Sequence, residues 1–64
     1  MIEKGKTYKN GLDTYQCLAV NGSTAIMENM TSHWRGTVHH ILQYADGSIK
    51  WAYATAGRFL PSDK

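Results

Sequence analysis

The sequence has a single cysteine, Cys17. One thiol forms no internal disulfide, so a disulfide-stapled scaffold is excluded, and Cys-rich zinc modules with it. Proline also occurs once, at Pro61. No run approaches the ~20 apolar residues of a membrane-spanning helix. The opening residues Met1-Ile2-Glu3-Lys4-Gly5-Lys6 turn polar at once, without the apolar stretch of a secretory signal. The expected compartment is therefore a reducing cytoplasm, with no membrane contact. The acids are scattered at Glu3, Asp13, Glu28, Asp46 and Asp63 and offer no acid–base pair. A glycine-rich phosphate loop and a nucleophile elbow are missing too. No catalysis and no cofactor are expected.

What is present is a small globule. Sixty-four residues at 7.2 kDa have room for one core. A chain of this length buries only about 60% of its extended surface on folding, which leaves no room for a deep cleft beside a cofactor domain. Hydrophobic residues make up 42% and charged residues 19%, the balance of a folded domain rather than a disordered tail. The net charge of +2 tolerates nucleic acid without demanding it.

Three turn signals punctuate the chain: Asn10-Gly11, Asn21-Gly22 and Asp46-Gly47. Each suits a tight hairpin, because Asn, Asp and Gly tolerate positive φ. Between them lie β-branched, aromatic or alternating residues. The pattern predicts five strands: Lys6–Lys9, Leu12–Val20, Ser23–Met30, Gly36–Tyr44 and Ser48–Thr55. Residues 36–44 also suit a helical turn through Val38, Ile41 and Leu42, but β-branched Thr37 and Val38 favour strand. Thr31–Arg35 is a connection with no two-residue turn signature. Period-two alternation sets Leu18 and Val20 against Cys17 and Ala19, and Ile26 and Met30 against Ala25 and Met27. It places Ile49, Trp51 and Tyr53 on one side of the last strand. Apolar groups on both faces of several strands fit a curled sheet whose strands pass between layers. The expected fold is all-β: a small five-stranded antiparallel SH3-like barrel over residues 1–64. An OB-like barrel or an open meander is the alternative. Phe59 and Leu60 would tuck against the barrel end, and Ser62-Asp63-Lys64 would fray.

His33, His39 and His40 raise the question of a metal. Adjacent His39 and His40 on a strand point to opposite faces and cannot share one ion, so no metal site is expected. Cys17 sits in an apolar strand and reads as a core residue rather than a nucleophile. The aromatic residues are more informative. Trp51, Tyr53 and Phe59 are assigned to the core or its rim. Trp34 lies in the polar run Thr31-Ser32-His33-Trp34-Arg35-Gly36, and Trp and Arg are enriched at binding hot spots. Trp34, Arg35 and His33 are the candidate anchors, with Tyr8, His39 and Lys50 as rim. Lys4, Lys6, Lys9, Arg35 and Lys50 would make a modest basic patch if they share a side.

Gly5-Lys6-x-Tyr8, Tyr15-x-Cys17-Leu18, His40-Ile41-x-x-Tyr44-x-Asp46-Gly47-x-Ile49-x-Trp51-x-Tyr53 and Ala56-Gly57-Arg58-Phe59 together carry a resemblance. Over most of its length the chain resembles short uncharacterised proteins of phages and mobile elements of Gram-positive gut bacteria. That resemblance implies a small SH3-like barrel and supplies no catalytic residue. It points to action on a host or phage protein complex, or on nucleic acid. The leading expectation is a non-enzymatic module that docks a protein partner, such as one in a host system. The alternative is weak, sequence-tolerant nucleic-acid binding. Homo-oligomerisation is a third expectation, because small barrels often gain stability that way.

Overall fold

The hairpins are built on glycine turns. In the computed structural model, which describes residues 2–55, β1 (Thr7–Asn10) pairs antiparallel with β2 (Asp13–Asn21), and β2 with β3 (Thr24–Asn29). Asn10 opposes Asp13 and Asn21 opposes Thr24. The central turn residues are thus Gly11-Leu12 and Gly22-Ser23, not the Asn-Gly pairs expected. Only the glycine of each pair takes positive φ, 63° in both. That is the type II′ pattern, with glycine first, whose twist matches the flanking strands. The asparagine before each glycine belongs to the strand end.

The expected fourth and fifth strands are each broken in two. Gly36–Tyr44 becomes β4 (Arg35–His39) and β5 (Leu42–Gln43); Ser48–Thr55 becomes β6 (Ile49–Lys50) and β7 (Tyr53–Thr55). His40 adopts φ 60° and ends β4. The Ala52 amide donates to the His39 carbonyl at 3.0 Å, so the two breaks face each other. At this corner both chain segments leave one sheet for another. β4 and β7 belong to a five-stranded antiparallel sheet of order β1-β2-β3-β4-β7, while β5 and β6 form a separate two-stranded hairpin. The hairpin turn holds Ala45-Asp46-Gly47, with the Gly47 amide donating to the Tyr44 carbonyl at 2.9 Å and the Tyr44 amide to the Ser48 carbonyl at 2.8 Å. The large sheet is open, because no ladder joins β1 to β7 among the described residues. The closed barrel expected from the sequence is therefore not formed there. Instead β6 lies alongside β1, so the hairpin covers the inner face. The contacts expected of Phe59 and Leu60, and the fraying of residues 62–64, lie outside the described residues.

That inner face carries the core: Cys17, Ala25, Met27 and Val38 are fully buried, and Ile49 brings the β5–β6 hairpin down onto them. A register shift between Cys17 and Ala19 inserts one extra residue into β2. This bulge changes the alternation. Cys17 and Val20, expected on opposite faces, both pack on the core.

Asn29 organises the β3–β4 connection. Its buried side chain accepts from the Thr31 amide at 2.8 Å and the Ser32 amide at 3.0 Å through Oδ1. Its carbonyl accepts from the His33 amide at 2.8 Å. This one helical turn ends at His33, in the left-handed region at φ 65°. Asn29→Ala removes the acceptor and is expected to cost about 1–2 kcal/mol, the usual range for a lost cap. Asn29→Asp keeps an oxygen there and costs less. Urea midpoints of the three proteins measure the order.

Candidate functional site

The expected anchors Trp34, Arg35 and His33 do not share a surface. His33 and Arg35 meet at Glu28, whereas Trp34 packs by Gly36 and Tyr15. Arg35 opposes Glu28 across β3–β4, and its Nε donates to Glu28 Oε1 at 3.1 Å. His33 Nδ1 lies 3.2 Å from Glu28 Oε2. Both basic residues thus converge on one largely covered carboxylate of the outer face. Trp34 turns to the inner side. Its indole lies over Gly36, edge-on to the Tyr15 ring with centroids 6.3 Å apart, and is 41% exposed. Arg35 is paired with Glu28, which offsets its charge.

The His33 hydrogen bond, reinforced by Arg35, holds the Glu28 carboxyl below the ordinary glutamate range. A lowered folded-state pKa means stability that is present above the unfolded value and lost as pH falls. Unfolding midpoints are expected to drop as pH falls below about 4.3. Glu28→Gln flattens that part of the profile. Asp46 contributes in the same direction, since the Ser48 hydroxyl and amide donate to its Oδ1 at 2.7 and 2.9 Å. The Glu28→Gln/Asp46→Asn double variant is therefore flatter than the single one.

The remaining rim candidates are dispersed. Tyr8 packs on the core and its hydroxyl accepts from the Glu3 amide at 2.8 Å, fixing the N-terminal segment. His39 stacks on Tyr53 with centroids 4.6 Å apart and planes at 13°, and its Nε2 is 3.1 Å from Thr55 Oγ1. The left-handed turn at His40 brings the neighbouring imidazole to the same ring, 5.7 Å away. The two histidines, expected on opposite faces, thus share a tyrosine. Tyr53, expected with Ile49 and Trp51, is 51% exposed beside His39, because the Trp51-Ala52 break moves it to the other sheet. Among the described residues no three metal-binding side chains gather.

Of the rim candidates, Lys50 lines an open recess. Beside the β5–β6 hairpin is a groove of about 490 Å³, lined by His40, Ile41, Leu42, Tyr44, Lys50 and Trp51, with Ser23 and Ala52 completing it. Its size falls in the range of small ligand pockets, about 300–1,000 Å³. The β4–β5 corner shapes one wall, where the Ile41 amide donates to the Ser23 carbonyl at 2.9 Å. Leu42 and Tyr44 project from the hairpin and are 63% and 45% exposed. Trp51 forms the floor nearest the core, edge-on to Tyr15 at 5.0 Å.

No protein-family profile, curated protein or solved structure matches the chain. The groove therefore stands on its own chemistry. It holds apolar and aromatic walls, one ammonium, one imidazole and the hydroxyls of Ser23 and Tyr44. The sequence reading missed Leu42, Tyr44 and Trp51. Leu42 and Tyr44 do alternate just before the Asp46-Gly47 turn, but only the corner at His40 turns them outward.

Proposed function

We propose that this chain is a non-enzymatic binding module that docks a protein partner through the groove beside the β5–β6 hairpin. One observation carries the reading: Leu42, Tyr44 and Trp51 line one open recess, and Leu42 and Tyr44 are exposed there among the described residues. Large apolar side chains grouped around a recess are what a partner's side chain displaces water from, and Tyr and Trp dominate binding hot spots. We read the architecture as SH3-like; the succession of hairpins and the approach of β6 to β1 support that kinship. The setting we propose is cytoplasmic, with a phage or mobile-element protein acting on a host complex.

Baits carrying Leu42→Ser, Tyr44→Ser or Trp34→Ala, compared with wild type in a bacterial lysate, test the docking site. The first two are expected to lower partner capture about tenfold each, the usual cost of a hot-spot truncation. Trp34→Ala retains capture. Full capture by both groove variants, with loss in Trp34→Ala, moves the site to the β3–β4 loop. Titration with oligonucleotides at low salt checks the other reading: tight binding that collapses with added salt would make this a nucleic-acid module.

A further inference from the structure

Resting on that docking role, we infer that the groove receives a short segment of the partner that is apolar but carries a carboxylate, seated against Lys50. The charge on the lining is one-sided. Lys50 and His40 are its ionisable basic groups, and no acid or arginine lines it among the described residues. Lys50 also stands opposite Leu42 in the hairpin ladder, so the ammonium and the most exposed apolar wall lie side by side. Among the described residues the ion pairs are those of Glu28, and Lys50 takes part in neither. The nearby Asp46 is held by Ser48 in the turn. A ligand with an apolar side chain between Leu42, Tyr44 and Trp51 thus places its next polar group at an unneutralised cation.

The same lining argues for a carboxylate over a phosphate. Phosphates are held by arginine forks, by clustered amides or by several cations at once. Among the described residues no arginine lines the groove, and one lysine beside a single imidazole balances a singly charged carboxylate better than a phosphate of up to two charges. The bulk of the lining is hydrocarbon and aromatic ring, so most of the binding comes from apolar burial, and the charge chooses between ligands.

Two acetylated, amidated hexapeptides test this, one alternating leucine with aspartate and one alternating leucine with lysine. Each is titrated into isotope-labelled protein and followed by amide NMR shifts. The aspartate peptide is expected to shift Leu42, Tyr44, Lys50 and Trp51 and to bind about fivefold tighter than the lysine peptide, as one partly exposed ion pair allows. Lys50→Glu reverses the order and Lys50→Gln abolishes the difference. Both substitutions lie on an exposed position, and the spectra themselves report folding. Equal binding of the two peptides at the groove overturns the carboxylate and leaves the docking role standing. Binding of neither peptide at the groove overturns both. A single-stranded oligonucleotide that binds the groove tighter than the aspartate peptide also overturns the inference.

Discussion

Met27→Ala is expected to leave most of the protein unfolded at room temperature. Met27 is fully buried in the middle of β3, with Cys17 and Gly36 as its register partners on either side. It is among the largest fully buried side chains described. Truncating a buried methionine to alanine costs about 2–5 kcal/mol, transfer and cavity together. A core this small rarely supplies more than about 3–5 kcal/mol. The loss therefore matches the whole stability. Loss of the β-type circular dichroism signal in buffer is the expected readout. Met27→Leu conserves volume and should stay within about 1.5 kcal/mol of wild type. A Met27→Ala protein with an unchanged urea midpoint would mean that the inner face is not the principal core.

The second large effect belongs to Gly36→Ala. A methyl group at Gly36 would sit 2.6 Å from Cη2 of Trp34 and 3.1 Å from the Thr55 carbonyl oxygen. The ring must leave, and the β4–β7 ladder leaves little slack on the other side. Overpacking of this kind costs about 1–3 kcal/mol. The ring's departure also breaks its edge contact with Tyr15. Tryptophan emission is expected to move to longer wavelength, because Trp34 gains solvent. Introduced into Trp34→Ala, the same Gly36→Ala change should cost much less, since its main obstacle has gone. Strict additivity of the two substitutions would show that the indole does not occupy the Gly36 surface.

The all-β class and the hairpin succession were legible because glycine turns and alternating residues are local signals. Asn10-Gly11, Asn21-Gly22 and Asp46-Gly47 all mark hairpins, although the first two turns are centred one residue later than expected. The breaks at His40 and at Trp51-Ala52 were not legible. Neither carries glycine or proline, and each exists because the other faces it across the corner. The bulge at Leu18 was hidden for the same reason, since a register shift belongs to a strand pair. The site suffered most from these non-local events. Glu28, the cross-strand partner of Arg35, is seven positions away in sequence. Asn29 is a local clue that the expectation for this loop did not use: an asparagine side chain bonds the backbone amide two residues on, as it does here with Thr31.

Cys17 sits at the floor of the inner face with no solvent exposure, and its Sγ lies 3.4 Å from the Ala19 carbonyl oxygen. Burial pushes its thiol above the ordinary cysteine range. As the chain's sole sulfhydryl, it stays inert to alkylating reagents until β2 parts from its neighbours. The rate of its modification is thus an intrinsic clock for opening of the native state, readable by mass spectrometry without any added label.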